Sequence, residues 1–156
     1  MACHGLNTSL ILIRGLPGSG KTSLAKELAA ADLPTLLPAS REEVAADDFR
    51  VDENGEYLWI PGREANEDAH GKCIAEAKRL VKEGCDTLRT SVIIVHNTFI
   101  ELWELEPYRK MAREFGCNLQ IITVHDPLVT DEELFERCKH GVPLEQIVDM
   151  RRRFEN

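Results

Sequence analysis

A glycine-rich run near the N-terminus has residue types and spacing that suit phosphate binding. Residues 15–22 read GLPGSGKT, in which two glycines separated by four residues precede lysine and threonine. In this pattern backbone N–H groups turn inward around phosphate oxygens, Lys21 reaches the outer phosphates, and the Thr22 hydroxyl is placed to ligate Mg²⁺. The run predicts a nucleoside triphosphate site; the alternative is a turn that binds nothing. The expected contacts are Gly15, Pro17, Gly18, Ser19, Gly20, Lys21 and Thr22.

The segments on either side of this run give it the context that such a loop requires. Residues 10–13 form a short apolar run suited to a buried strand, and residues 23–30 are good helix formers. A strand, a glycine loop and a helix in this order place the positive end of the helix dipole against bound phosphates.

The rest of the chain alternates between strand and helix patterns. Apolar spacing and β-branched runs predict strands at 91–96 and 119–124, a weaker strand ending at 44–46, and helices over 65–84, 102–115, 131–138 and 144–154. Two prolines mark a connection at 32–38, and residues 51–63 have an irregular composition. This alternation predicts an α/β fold of the P-loop NTPase type, a parallel sheet covered by helices on both faces.

Length and composition place the chain in a broad class. With 156 residues, of which 43% are hydrophobic, it is expected to form a single domain with its own core. The first residues lack the basic and apolar pattern of a signal peptide, and no stretch has the length of a membrane span, so a cytoplasmic protein is expected, with the nucleus as the other option. Five cysteines without a C-x-x-C pair favour reduced thiols: Cys3, Cys73, Cys85, Cys117 and Cys138.

Charge is unevenly distributed along the chain. The net charge of −8 argues against binding nucleic acid over the whole surface. Residues 41–70 hold ten Asp and Glu against three Arg, whereas residues 137–153 hold five Lys and Arg against two acids. The basic segment is either part of an anion site or a solvated helix face with ordinary C-terminal helix charges at Arg151–Arg153.

Candidate acceptor-side residues follow the strands. Open α/β sheets bind ligands beyond the carboxyl ends of their strands, where Asp47 and residues 96–98 (His-Asn-Thr) are expected to lie. Asp47 could take the proton of an attacking hydroxyl, and Arg50 could hold an anionic part of the acceptor. The alternative is that Asp47 and Asp48 cap a helix that begins near Phe49.

Five strings of the sequence together resemble a known family. These are GLPGSGKT at 15–22, ADDFR at 46–50, Asn97-Thr98, WELEPY at 103–108 and KHGVP at 139–143. In this order they resemble the kinase domains of the Nedd4-binding-protein-2-like and phage polynucleotide kinase group, over nearly the whole chain. The resemblance implies a compact P-loop kinase that transfers the γ-phosphoryl group of ATP, with Mg²⁺, to a 5′-hydroxyl of DNA or RNA.

The same resemblance implies roles for individual residues. It makes Lys21 and Thr22 the phosphate and Mg²⁺ ligands, Asp47 the general base and Arg50 a contact to acceptor phosphate. Asn97 and Thr98 belong to the substrate side. Arg137 falls where the family has a lid arginine over the nucleotide, and Lys139 belongs to the same lid. Such cations would meet the charge of the transferring group. Trp103 and Tyr108 could stack on a base or belong to the core.

One position departs from the family pattern. Relatives carry an acid at the end of the central strand, where this chain has His96. An acid there would orient Mg²⁺-bound water, which a neutral imidazole does less well and an imidazolium would oppose. His96 could also be a packed histidine. Two rival functions therefore stand beside a polynucleotide kinase: a kinase for a small hydroxylated metabolite, and a nucleotide-binding module without turnover.

Overall fold

Four parallel strands form the central sheet of the protein. The structure is a computed structural model that describes residues 7–31, 39–57, 63–87 and 89–156. The sheet order is β2-β3-β1-β4, and each neighbouring pair is parallel. The strands are β1 (Thr8–Arg14), β2 (Ala39–Val44), β3 (Thr90–His96) and β4 (Asn118–Thr123).

Helices connect and cover these strands. The five α-helices are α1 (Lys21–Ala30), α2 (Arg63–Cys85), α3 (Glu106–Phe115), α4 (Asp131–Arg137) and α5 (Leu144–Arg153), and short 3₁₀ helices lie at Ala46–Phe49 and Leu102–Leu105. The predicted α/β class is confirmed. The predicted connection at 32–38 and residues 58–62 of the irregular stretch lie outside the described residues.

The two faces of the sheet pack against different helices. Alternate strand residues such as Leu10 and Ile93 join a core with α2 and α3, whereas Ile13 and Ile94 pack with Ala25 of α1 on the other face. Side chains of neighbouring strand residues point to opposite faces. Helices on both faces thus bury β1 and β3, and their carboxyl ends are held at a fixed place.

A third apolar cluster holds α4 and α5 beside the phosphate loop. It joins Leu16 of the loop to Leu134 of α4, to Val142 of the turn between α4 and α5, and to Ile147 of α5. Arg14 adds a buried polar link, because its guanidinium donates to the Phe99 carbonyl at 2.9 and 3.1 Å and to the Glu155 carbonyl at 2.6 Å. The last helix is therefore tied to the strand that carries the loop.

Several predicted boundaries differ from the observed ones, most by one or two residues. The helix predicted to end at Gly84 continues to Cys85. Gly84 lies inside α2 because a Cβ there would come within 2.7 Å of the Ser91 Cβ, so this glycine allows close contact between helix and sheet. The strand predicted to end at 44–46 stops at Val44, and the helix expected near Phe49 is the 3₁₀ turn at Ala46–Phe49.

The two aromatic residues left open by the sequence have different environments. Tyr108 is buried in the core, with its ring edge-on to Phe99 at 5.5 Å between centroids. Trp103 is 68% exposed on the second 3₁₀ helix, where its indole nitrogen donates to Glu101.

Cys73, Cys85, Cys117 and Cys138 are free thiols, and Cys3 lies outside the described residues. Within the described part of the chain, none of the helices is both long and apolar enough to cross a bilayer.

Candidate functional site

The phosphate loop, residues 15–22, connects β1 to α1 in a conformation that depends on glycine. Gly18 has φ 75° and Gly20 has φ 95°, a backbone region that favours glycine. Gly20 is the N-cap of α1 and has no side chain to cap the helix. The N–H groups of the first turn of this ten-residue helix can therefore donate to a ligand. The loop is also tied to the adjacent strand end, because Gly15 N–H donates to the Thr98 carbonyl at 3.1 Å.

Lys21 is folded into this loop. Its Nζ donates to the Leu16 carbonyl at 2.8 Å. Burial lowers the pKa of Lys21 from 10.5 to about 8, and the nearby Asp47 carboxylate opposes that shift. A lysine whose charge is poorly solvated gains more than an exposed one from a phosphate oxygen at this place.

A cavity of about 620 Å³ lies at the carboxyl ends of the strands, beside the loop. Eleven of the thirteen residues that the sequence predicts for the site line it: Pro17, Gly18, Gly20, Lys21, Thr22, Asp47, Arg50, Asn97, Thr98, Arg137 and Lys139. Of the other two, Gly15 is buried against Val124, and Ser19 lines a second cavity of about 180 Å³ on the other side of the loop. The structure therefore brings together residues that are far apart in sequence.

The cavity is strongly cationic in a chain that is acidic as a whole. Its walls carry five basic side chains, which are Lys21, Lys26, Arg50, Arg137 and Lys139. Among the described residues that line it, Asp47 is the one acid. Because the whole chain has a net charge of −8, this concentration of positive charge selects for anionic ligands.

Asp47 and Asp48 have separate roles in the 3₁₀ turn. The Asp48 Oδ2 atom accepts from the Ala45 N–H at 2.7 Å, so Asp48 closes the turn. The Asp47 carboxylate is turned to the cavity, where Oδ1 accepts from the Tyr57 hydroxyl at 3.4 Å and lies 3.7 Å from the Arg50 Nε. The cap predicted as an alternative for both residues is thus found for Asp48.

Asn97 connects the end of β3 to this turn. Its Oδ1 accepts from the Ala46 N–H at 2.8 Å, and its Nδ2 lies 3.5 Å from the Cys73 Sγ of α2. The side chain is buried, and both of its polar atoms contact protein. Asn97 therefore fixes the residue that precedes Asp47, although it was expected to contact substrate.

His96 lies in the cavity wall at the end of β3 and is 9% exposed. Burial is the main cause that lowers the pKa of His96; the Lys21 charge lowers it further, and Glu43 and Asp48 act in the opposite direction. The imidazole is therefore neutral at neutral pH. It is both packed and in contact with the cavity.

The segment 131–143, which we call the lid, consists of α4 and the turn that follows it. A Cβ on Gly18 would lie 2.1 Å from the Leu134 carbonyl oxygen, so α4 packs directly on the phosphate loop. Arg137 lines both cavities, and Lys139 lines the larger one. Arg151 of α5 pairs with Asp131 and donates to the Val129 carbonyl at 2.7 Å, which fixes the start of the lid.

The cavity is also lined by residues that the sequence analysis did not assign to the site, among them Tyr57, Asn66, His70 and His140. Asn66 accepts from the Arg50 guanidinium, and His70 lies one helical turn later on α2. Their spacing of four residues indicates a shared face, which could have found them once the start of α2 was known. His140 belongs to the KHGVP string. Tyr57 lies in an irregular segment whose sequence gives no such signal.

The sheet order, the glycine loop and the cationic cavity define a P-loop kinase-like domain. The sequence model of the family described as "AAA domain" matches residues 10–156, and the chain belongs to that family. NEDD4-binding protein 2 from Homo sapiens is 30% identical in an alignment of 149 residues that covers 90% of this chain and 7% of that protein. The resemblance seen in the sequence motifs is confirmed, and the chain spans only a small part of this relative.

Solved structures show the same fold at low sequence identity. A chain of the Pnkp1/Rnl/Hen1 RNA repair complex superposes with a TM-score of 0.62 at 20% identity, covering 96% of this chain and 44% of that one. The APS kinase CysC Cys556Ala mutant of Mycobacterium tuberculosis has a TM-score of 0.55 at 15% identity, with coverages of 94% and 99%. A gluconokinase from Sinorhizobium meliloti 1021 has a TM-score of 0.53 at 17% identity, with coverages of 97% and 77%.

Proposed function

We propose that this domain transfers the γ-phosphoryl group of ATP to a 5′-hydroxyl of DNA or RNA, with Mg²⁺ as cofactor. The observation that carries the proposal is one carboxylate, Asp47, in a cavity that otherwise carries five basic side chains beside a phosphate loop. Phosphoryl transfer needs cations around the phosphates and one group that removes the hydroxyl proton. The five basic side chains support the first requirement, and the Asp47 carboxylate is the group we assign to the second.

The side of the cavity next to the phosphate loop fits a nucleoside triphosphate, the phosphoryl donor. The open N–H groups at the start of α1 and the half-buried Lys21 would hold the outer phosphates, and Arg137 and Lys139 face the same space from the lid. Thr22 has the hydroxyl that would ligate Mg²⁺. When bound, this ion neutralises charge that develops on the phosphate oxygens. Among the described residues no cluster of three His, Cys, Asp or Glu side chains could hold a metal, so its remaining ligands would be phosphate oxygens and water.

The acceptor side has the groups that a hydroxyl with a neighbouring anion requires. Asp47 would take the proton while the acceptor oxygen forms a bond to the γ-phosphorus and the bond to the β-phosphate oxygen breaks, which releases ADP. Arg50 is held between Asp47 and Asn66, and can bind a phosphate of the acceptor. A cation beside the base favours a phosphate-bearing acceptor over a neutral alcohol.

A panel of acceptors tests this function. We would measure transfer from labelled ATP to 5′-hydroxyl DNA, 5′-hydroxyl RNA and small anionic alcohols, with Asp47→Asn as the control. Transfer to an oligonucleotide that depends on Asp47 supports the proposal. Transfer confined to small compounds identifies a metabolite kinase instead, and tight ATP binding with no transfer to any acceptor identifies a nucleotide-binding module.

The departure at His96 gives a separate prediction. His96→Asp is expected to lower the Mg²⁺ concentration needed for half-maximal activity and to raise the rate, because a carboxylate would orient metal-bound water at this place. At this place the Lys21 charge would favour a carboxylate, whereas burial and the charges of Glu43, Asp48 and Asp47 would oppose it in the absence of the metal. A Mg²⁺ titration of the transfer rate measures the effect.

His96→Asn is the matched control, since it removes the imidazole without adding charge. An equal effect of Asn and Asp would show that the loss of the histidine, rather than the gain of an acid, changes the metal dependence. An unchanged or higher Mg²⁺ concentration for half-maximal activity in the Asp variant would contradict the role assigned to this position.

A further inference from the structure

The KHGVP string at 139–143 contains His140, a residue to which the proposed function assigns no role. Gly141 has φ 65°, Val142 is 7% exposed in the cluster with Leu16, and Pro143 is the N-cap of α5. These three residues explain how the turn between α4 and α5 is built. They leave His140 as a polar side chain that the turn presents to the cavity.

His140 contacts the two groups that matter most on the acceptor side. Its Nε2 lies 3.7 Å from the Asp47 Oδ2, and its ring centroid lies 4.6 Å from that of Tyr57. Tyr57 in turn donates to the other carboxylate oxygen of Asp47 at 3.4 Å. The two oxygens of Asp47 therefore face different groups: Oδ2 faces His140 of the lid, and Oδ1 faces Tyr57 and Arg50.

Tyr57 remains a donor at the pH at which a kinase works. Burial and the Asp47 carboxylate raise the pKa of Tyr57 to about 12, so the phenol stays protonated. The half-exposed Asp47 carboxylate can rotate about its side-chain bonds unless neighbours restrain it. Tyr57 restrains one oxygen, and His140, whose ring is tilted by 44° against that of Tyr57, is placed to restrain the other.

We propose that His140 is a positioning residue, which orients the Asp47 carboxylate for proton removal and makes that orientation depend on the packing of the lid. This inference rests on the proposed role of Asp47 as the base. The lid packs on the phosphate loop through Leu134 and Val142. The same turn brings His140 to Asp47. One short segment thereby couples nucleotide binding beneath the lid to the orientation of the Asp47 carboxylate.

Kinetic measurements test the positioning role. His140→Ala is expected to lower kcat by about 10- to 100-fold, the usual effect of a poorly oriented reacting group, with KM for ATP changed by less than about 2-fold. His140→Gln keeps an N–H donor near the Nε2 position and should recover most of the rate. Gln146→Ala, an exposed change on α5, serves as the control and should leave kcat unchanged.

A double variant distinguishes action through Asp47 from any other role. If His140 works through Asp47, then His140→Ala should have no further effect on kcat in an Asp47→Asn background. A loss of equal size in both backgrounds, or a rise in KM for ATP with kcat unchanged, would overturn the proposal. Thermal unfolding of each variant checks that the fold is retained, which we expect because His140 is 40% exposed.

The contact can also be tested without turnover. The NMR signals of the His140 ring should shift in Asp47→Asn and stay in place in Asp48→Asn, because Asp48 is engaged with the Ala45 N–H. Ring signals that do not respond to Asp47→Asn would overturn the inference. If the wild-type protein transfers phosphate to no acceptor, the proposed function fails, and these signals still decide whether His140 contacts Asp47.

Discussion

Replacing Lys21 with alanine is expected to weaken Mg²⁺–ATP binding by about 10- to 100-fold, the effect of losing one charged hydrogen bond. Transfer should fall further, by on the order of 10²- to 10³-fold, because the lost cation also faces charge that develops in the transition state. Calorimetry measures the first effect and labelled phosphate transfer the second. The fold should be retained, since the Nζ of Lys21 donates to a single carbonyl, that of Leu16.

Lys110→Ala, on the exposed face of α3, is the matched loss of one positive charge. It should leave both ATP affinity and turnover unchanged. Equal nucleotide affinity in wild type and Lys21→Ala would show that the phosphate loop does not bind ATP in the way assigned here, and would remove the basis of the proposed function.

The lowered pKa of Lys21 gives ATP binding a pH dependence of definite sign. Below about pH 8 the lysine is already protonated, and affinity should be nearly constant. Above that pH the unliganded lysine is neutral and must take up a proton when phosphate binds, so affinity should fall, by up to about tenfold per pH unit. Calorimetric titrations between pH 7 and 9.5 measure this, and the dependence should be absent in Lys21→Ala.

Local sequence signals were sufficient for the fold but not for its boundaries. The apolar runs around Leu10 and Ile93 predict buried strands. Alternate residues of each run pack on opposite faces of the sheet, and helices cover both faces. The end of α2 was misplaced at Gly84 because glycine is both a helix terminator and a residue that allows close packing. Only the position of Ser91 across the interface distinguishes these two uses.

Some features of the site follow from local sequence, whereas others depend on tertiary contacts. One local pattern predicted the strand, loop and helix around the phosphate loop, and five of its seven predicted contact residues line the cavity. The different roles of Asp47 and Asp48 were not, because the direction of each carboxylate depends on the 3₁₀ turn. His140 and Tyr57 meet only when the lid and the segment before α2 fold onto the same cavity. Contacts of this kind have no signature in sequence spacing.

Asp47→Asn is expected to lower the rate of transfer by about 10²- to 10⁴-fold, the usual contribution of a positioned general base. The amide keeps the size of the carboxylate and its hydrogen-bond acceptor for the Tyr57 hydroxyl, but it cannot take a proton. ATP affinity should remain close to that of wild type. Single-turnover transfer and calorimetry on the same protein separate these two quantities.

Asp48→Asn is the neighbouring control, and it separates catalysis from folding. Asp48 accepts from the Ala45 N–H, so its replacement should lower the melting temperature slightly and leave the transfer rate near that of wild type. Asp47→Asn should show the opposite pattern, a large loss of rate with little change in melting temperature, because the Asp47 side chain is 44% exposed. If instead Asp47→Asn turned over at the wild-type rate and melted early, Asp47 would be a structural residue of the turn. The proton of the acceptor hydroxyl would then have to pass to another group, and His70, a titratable side chain of α2 that lines the cavity, would be the next residue to replace.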